Sequence, residues 1–153
     1  MLCRLLLPIL WLACTWAQAT TGPYDEAADA RADIASALVQ AAPGQRHVLV
    51  VFGANWCGDC KVLDAAFKAG AVAPLVAQRF QVVKVNVGRF DRNIDLAELY
   101  GVPLKKGIPA VVLLSPQGVA LHATRSGELA DARAMGDTGL YAFFDQMVRA
   151  QVR

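Results

Sequence analysis

An unbroken apolar run, Val48–Phe52, limits this chain to folds that contain a strand covered on both faces. Such a run is typical of a central strand, since a strand with one wet face alternates apolar and polar side chains. Gly53–Asn55 ends the run, and apolar residues then recur at helical spacing from Cys57 to Phe67. The pattern therefore predicts an α/β domain built around a strand-to-helix junction.

Helices and strands alternate along the rest of the chain. Helices are predicted over residues 24–42 (with Asp25 and Glu26 in the first turn), 57–80 (interrupted at Gly70), 94–100 and 140–148 (capped by Asp137 or Thr138). Strands are predicted over residues 47–52, 81–87, 108–114 and 119–124, the last two joined by a tight turn. Residues 126–136 are expected to form a polar connection. This order predicts a mixed central sheet flanked by helices.

Composition narrows the class of protein. The chain has 153 residues, of which 56% are hydrophobic, and a formal net charge of +2, which suits a single globular domain. Basic residues are scattered singly apart from Lys105 and Lys106, so no basic surface for nucleic acid is expected. After residue 19, no stretch approaches the roughly 20 apolar residues that span a bilayer.

The N-terminal residues have the pattern of a secretory signal peptide. Met1–Arg4 carries one positive charge, Leu5–Trp16 is almost entirely apolar, and Ala17–Ala19 supplies small residues for cleavage. We predict a signal peptide over residues 1–19 and a mature domain over residues 20–153, periplasmic or secreted. The alternative is a lipoprotein in which Cys14 is acylated and retained as an anchor.

Cleavage after residue 19 removes Cys3 and Cys14 and leaves Cys57 and Cys60. Cys57 is predicted at a helix N-terminus, where free backbone N–H groups and the helix dipole favour a thiolate. Cys60 lies about one turn further on, close enough for a disulfide. The pair predicts thiol-disulfide exchange, with Cys57 as the attacking thiolate and Cys60 as the resolving thiol.

Two other interpretations of the cysteine pair are less favoured. A closed zinc site needs four ligands, and the only histidines, His47 and His122, lie 75 residues apart and beside different strands. An inert structural disulfide is also possible in principle, but a loop this small constrains the unfolded chain very little. We therefore predict no metal and no organic cofactor.

The segment Phe52–Lys61, which follows an apolar strand, resembles the active-site segment of the thioredoxin superfamily. Gly107–Ala110 likewise resembles the family's cis-proline segment. The resemblance covers nearly all of residues 20–153, and its local details are more similar to those of exported bacterial thioredoxin-like proteins than to those of cytosolic thioredoxin. It implies a thioredoxin-like fold.

The resemblance also implies roles for individual residues. Cys57 matches the nucleophile and Cys60 the resolving cysteine. Trp56 matches an aromatic lid, and Pro109 a cis-proline in the substrate groove. The backbone of Ile108 would pair with an extended substrate.

Lys84 matches a family lysine near the cysteine pair, but other positions depart from the family pattern. Val51 stands where thioredoxins have a buried aspartate, Gly53 where they commonly have a second tryptophan, and Asp59 where they have proline. Without the buried aspartate, loss of the Cys60 proton should depend on solvent, on Asp59 or on an unpaired Lys84. We further expect the Asp59 carboxylate to oppose the helix dipole and to disfavour the neighbouring thiolate.

Together these features predict an exported thiol-disulfide oxidoreductase that acts on protein thiols and disulfides, with a redox partner protein that the sequence does not identify. The expected direction is reduction or mild isomerisation. The alternative is a thioredoxin-like module that binds client proteins or senses redox state without turnover.

Overall fold

The computed structural model describes residues 22–151, so the predicted signal peptide and Cys14 lie outside the described residues. In this part of the chain four strands form one mixed sheet: β1 His47–Gly53, β2 Phe80–Asn86, β3 Ala110–Leu114 and β4 Ala120–Ala123. Their order across the sheet is β2-β1-β3-β4. Strand β1 pairs parallel with β2 and antiparallel with β3, which confirms the predicted central strand.

Within residues 22–151, five α-helices flank the sheet: α1 Ala30–Ala41, α2 Gly58–Ala66, α3 Val72–Arg79, α4 Ile94–Leu99 and α5 Ala132–Arg149. Two short 3-10 turns, Ala42–Gly44 and Leu104–Lys106, lie between α1 and β1 and between α4 and β3. None of the described helices is long and apolar enough to cross a bilayer. The predicted fold class, α/β with a mixed sheet between helices, is confirmed.

The core has two layers because side chains of β1 alternate between the faces of the sheet. Val50 and Phe52 pack in the layer that includes α1 and α4. Leu49 and Val51 pack in the layer that includes α2, α3 and α5. All of β1 after His47 is buried, so the strand leading to the cysteine pair is held on both edges and both faces.

Two boundaries differ from the prediction. The first helix begins at Ala30 rather than Tyr24, since Asp29 caps it by accepting hydrogen bonds from two backbone N–H groups of its first turn. Asp25 and Glu26 therefore precede the helix. Tyr24 instead packs in the core, where it is buried.

The connection predicted over residues 126–136 is also wrong in part. It contains buried Leu129 and the first turn of α5, and Gly136, with a φ of 63°, interrupts that helix. The Asp137 carboxylate, expected as a helix cap, accepts a hydrogen bond from the backbone N–H of Ala71 instead. This early turn carries Arg133 towards the cysteine pair.

Candidate active site

The two cysteines lie where β1 gives way to α2. Cys57 is the N-cap of α2, and its Sγ accepts a hydrogen bond of 3.1 Å from the backbone N–H of Cys60. The two residues form a disulfide with their Cα atoms 5.2 Å apart. Cys57 is 6% exposed and Cys60 is fully buried, so an incoming sulfur can reach Cys57 first. Backbone N–H groups at a helix N-terminus stabilise a thiolate on Cys57 once the disulfide opens.

The segment before β3 lies against the first cysteine. The Ile108–Pro109 peptide bond is cis, as the sequence predicts. The Ile108 carbonyl oxygen lies 3.5 Å from Cys57 Sγ. The structure therefore brings Cys57 together with Ile108 and Pro109, which lie about 50 residues further along the chain.

Trp56 forms the exposed rim of this site. Its side chain is 50% exposed, and its indole Nε1–H donates a 2.7 Å hydrogen bond to the Gly88 carbonyl. Phe90 packs edge-on against it, with the ring centroids 5.9 Å apart. Phe90 also borders a mostly apolar cavity of about 640 Å³ that extends to Gly107. The indole is thus held in place beside Cys57 while one face remains open to a partner.

Asp59 lies between the cysteines in sequence but points to α5. Its carboxylate accepts hydrogen bonds from the backbone N–H and the Nε–H of Arg133, at 3.0 and 3.1 Å, and pairs with Nη2 at 3.0 Å. Burial alone would raise the pKa of Asp59, but these hydrogen bonds and the guanidinium charge outweigh burial and hold the pKa below its usual value. Asp59 is therefore ionised, and its charge is balanced by Arg133.

Lys84 is not unpaired, and that prediction is wrong. Its ammonium group forms a close ion pair with the Asp64 carboxylate, which Lys68 also contacts at 2.7 Å. Burial would raise the pKa of Asp64, but the hydrogen bonds and charges of the two lysines prevail and lower it. Lys84 is thus engaged with a carboxylate one helical turn beyond Cys60.

Gly53 leaves room for a side chain from another part of the chain. A Cβ atom at Gly53 would collide with the Tyr24 hydroxyl and would lie 2.9 Å from Cys60 Sγ. Tyr24 is buried, and its backbone N–H and carbonyl are both bonded to the Asn55 side chain, at 2.9 and 2.8 Å. Tyr24 and Asn55 therefore fasten the segment before α1 to the redox site.

The two histidines lie away from the cysteines. His47 begins β1 at the end opposite Cys57, and burial, with a smaller effect of the Arg79 charge, lowers its pKa. His122 is exposed on β4, where its ring packs edge-on against Phe143. Among residues 22–151, no three His, Cys, Asp or Glu side chains converge in a way that could hold a metal ion.

Sequence reasoning missed three residues of the site. Asp64 carried a usable signal, since it lies four residues after Cys60 on the same helix face. Tyr24 carried a weaker one, because Gly53 lacks the side chain that would otherwise fill its place. Arg133 carried none, since it is separated from Asp59 by 74 residues and lies in a turn predicted as a loop.

Comparison with known proteins adds to this geometry. Residues 29–116 match a family model described as thioredoxin-like. The chain is 33% identical over 103 residues to a thioredoxin of Acidithiobacillus ferridurans, covering 67% of this chain and 81% of that protein.

Solved structures give the same result. The crystal structure of a disulphide isomerase from Xylella fastidiosa Temecula1 has 45% sequence identity and a TM-score of 0.80, covering 85% of this chain and 99% of that one. The C-terminal domain of Neisseria meningitidis DsbD, in its reduced form, has 20% identity and a TM-score of 0.53, covering 77% of this chain and 96% of that one, a likeness of fold alone.

Proposed function

Because this chain belongs to the thioredoxin-like family and is a thiol-disulfide oxidoreductase, we propose that it exchanges disulfides of exported proteins as a reductant or mild isomerase. The observation that carries the proposal is the position of Cys57 at the N-terminus of α2, beside the Ile108–Pro109 segment. The Xylella protein named a disulphide isomerase supports the choice of activity.

The proposed reaction uses both sulfurs. The Cys57 thiolate attacks a client disulfide, forms a mixed disulfide and releases one client sulfur as a thiolate. The Cys60 thiolate then attacks Cys57 Sγ, the internal disulfide forms and the second client sulfur leaves. The two protons of the dithiol end on the two client sulfurs. In isomerisation the first client thiolate attacks elsewhere in the client before Cys60 closes the ring.

The direction rests on the charge near Cys57. Strong oxidants of this chemistry owe their potential to a stabilised thiolate in the reduced form. Two cations lie at the first turn of α2: Arg133, whose charge Asp59 balances, and Lys61, which is exposed to solvent. Water and salt weaken the effect of an exposed charge, so Cys57 gains little beyond the helix-terminal field, which supports a potential below that of a strong oxidant.

The test is the reduction potential, measured by equilibrating the protein with glutathione buffers and quantifying the oxidised fraction. We expect a value more negative than about −180 mV, with catalysed reduction of insulin or reshuffling of scrambled ribonuclease. A potential near about −120 mV, the value of a strong oxidant, would overturn the proposed direction.

Export is part of the proposal and is supported by the signal-peptide pattern of residues 1–19. Expression in a bacterium followed by intact-mass measurement of the exported protein, in both the periplasmic and the membrane fractions, tests it. We expect a new N-terminus at or near Thr20. A mass that retains Cys14 with added acyl chains would replace the soluble form by the lipid-anchored alternative.

A second candidate function, client binding without turnover, is supported by the apolar cavity bordered by Phe90, Ile94, Val102 and Leu104. Such a surface can hold an apolar segment of a client. Substoichiometric protein in the insulin assay distinguishes the two functions. Many disulfides reduced per molecule indicate an enzyme, and one or none indicates a binding or sensing module.

A further inference from the structure

The space beside Gly53 brings a phenol hydroxyl to the buried sulfur of the redox pair. The Tyr24 hydroxyl occupies the place that a Cβ atom at position 53 would take, and that place is 2.9 Å from Cys60 Sγ. Tyr24 is 1% exposed and Cys60 is 0% exposed, so bulk water has little access to either group. A polar group this close to a buried sulfur affects the charge that the sulfur can carry.

The position of this hydroxyl is built into the fold. Asn55 bonds both the backbone N–H and the carbonyl of Tyr24, and its amide also donates to the Glu26 side chain at 3.1 Å. Arg92 donates to the Glu26 carbonyl at 2.9 Å. These contacts hold the backbone of the tyrosine and of the segment that follows it, and the buried ring lies against Gly53.

The surroundings keep the hydroxyl protonated. Burial, and in second place the charge of the Asp64 carboxylate, raises the pKa of Tyr24 well above its usual value. Of the other charged groups on the elements around Cys60, Asp64 is paired with Lys84 and Lys68, and Asp59 with Arg133. Lys61, the next residue on α2, is exposed to solvent. The tyrosine is therefore a neutral hydrogen-bond donor throughout the pH range in which thiols titrate.

We propose, resting on the function proposed above, that the Tyr24 hydroxyl is a positioning residue for Cys60: it donates a hydrogen bond to the Cys60 thiolate when the disulfide is open. Cys60 must lose its proton before it can attack Cys57 Sγ. The thiolate electron pair then forms the new sulfur–sulfur bond, the bond from Cys57 to the client breaks, and the departing client thiolate takes up the proton. Tyr24 thereby serves the step for which Val51 offers no acidic or polar group.

The test is Tyr24→Phe, which keeps the buried ring and removes only the hydroxyl. The Cys60 pKa is read from the pH dependence of its ¹³Cβ chemical shift in the reduced protein. A hydrogen bond to a charged group is strong enough that its loss should raise this pKa by about one unit, which means tenfold less thiolate. Tyr141→Phe, at an exposed tyrosine on α5, is the matched control and should leave the pKa unchanged.

Rapid-mixing kinetics separate this role from a structural one. In Tyr24→Phe the attack by Cys57 on a peptide disulfide should keep its rate. Closure by Cys60 should slow about threefold, because the less abundant thiolate is also more nucleophilic. An unchanged Cys60 pKa, or equal slowing of both steps, would overturn the inference. Since the pKa needs no client, a shifted pKa with no turnover would contradict the proposed function and leave the role of Tyr24 intact.

Discussion

The two sulfurs of the Cys57–Cys60 disulfide lie in different surroundings although only two residues lie between the cysteines. Cys57 faces the exposed Trp56 rim and the Ile108 carbonyl, near a carboxylate whose partner, Arg133, is 64% exposed. Cys60 is enclosed by the core, near a tyrosine. The Cys57 sulfur is therefore accessible to other molecules, whereas the Cys60 sulfur is accessible only to Cys57 and the residues of the core around it.

The largest effects on activity are expected when each sulfur is removed in turn. Both Cys57→Ser and Cys60→Ser should abolish turnover of a protein disulfide, because exchange needs both thiols. Only Cys60→Ser should accumulate mixed disulfides with clients, since it keeps the accessible nucleophile. Non-reducing gels of each variant after incubation with oxidised client measure this. Equal trapping by both variants would instead favour the binding module.

Acid sensitivity tests the two carboxylates of α2. Both pKa values are lowered in the fold, so their stabilisation is complete above the unfolded value of about 3.9 and is lost as pH falls through the lower folded values. Asp64→Asn should cost about 2 kcal/mol at pH 7, because it leaves partly buried Lys84 without its carboxylate.

Asp59→Asn should cost less, about 1 kcal/mol, because its partner is largely in solvent. Urea unfolding at pH 7 and pH 3 measures both losses, which should shrink at the lower pH. Asp145→Asn, whose partner Arg149 is exposed and lies four residues further on the same helix, is the control and should change little. Losses that are equal at the two pH values would contradict the assignment.

The reduction potential tests whether Arg133 acts on Cys57. Arg133→Met leaves the Asp59 charge unbalanced near the thiolate, which should raise the Cys57 pKa and lower the potential by about 10–30 mV. Asp59→Asn should shift the potential the other way. Arg149→Met removes a cation from the far end of the same helix and should leave it unchanged. Shifts of the same sign in both active-site variants would contradict this account.

The smallest expected effect is optical. Trp56 is the only tryptophan in residues 20–153, and its ring is fixed beside the redox pair by Gly88. Its emission should change when the disulfide is reduced, because a disulfide and a thiolate quench differently. The difference between wild-type and Trp56→Phe spectra isolates this signal. Identical oxidised and reduced spectra would mean that Trp56 does not sense the pair.

The sequence predicts the backbone elements of this site better than the side-chain contacts around it. The strand, the helix N-terminus at Cys57 and the cis-proline segment depend on local patterns, and all three lie where the sequence placed them. The ion-pair partners of Asp59 and Lys84 do not follow from such local patterns. Arg133 contacts Asp59 from the short turn of α5 that precedes the break at Gly136, and that tertiary contact has no local signature.

Tyr24 illustrates the same limit from the other direction. Its place in the sequence suggested the first turn of a helix, and burial under Gly53 overrode that local preference. An aromatic side chain gains more from filling a core space than a helix gains from one further turn. A glycine where related proteins carry a large side chain predicts only that some other side chain must enter.

Strand β1 and helix α2 should differ in how readily their backbone hydrogen bonds open. It is hydrogen-bonded along both edges and buried on both faces, so its amide protons should exchange with solvent only when the whole domain unfolds. Helix α2 has an open N-terminal turn and should exchange sooner. A client therefore meets a redox pair in an earlier-opening turn that directly follows the slowest-opening strand, so β1 fixes the base of the site while the turn and the client supply the flexibility needed to align three sulfurs in a row.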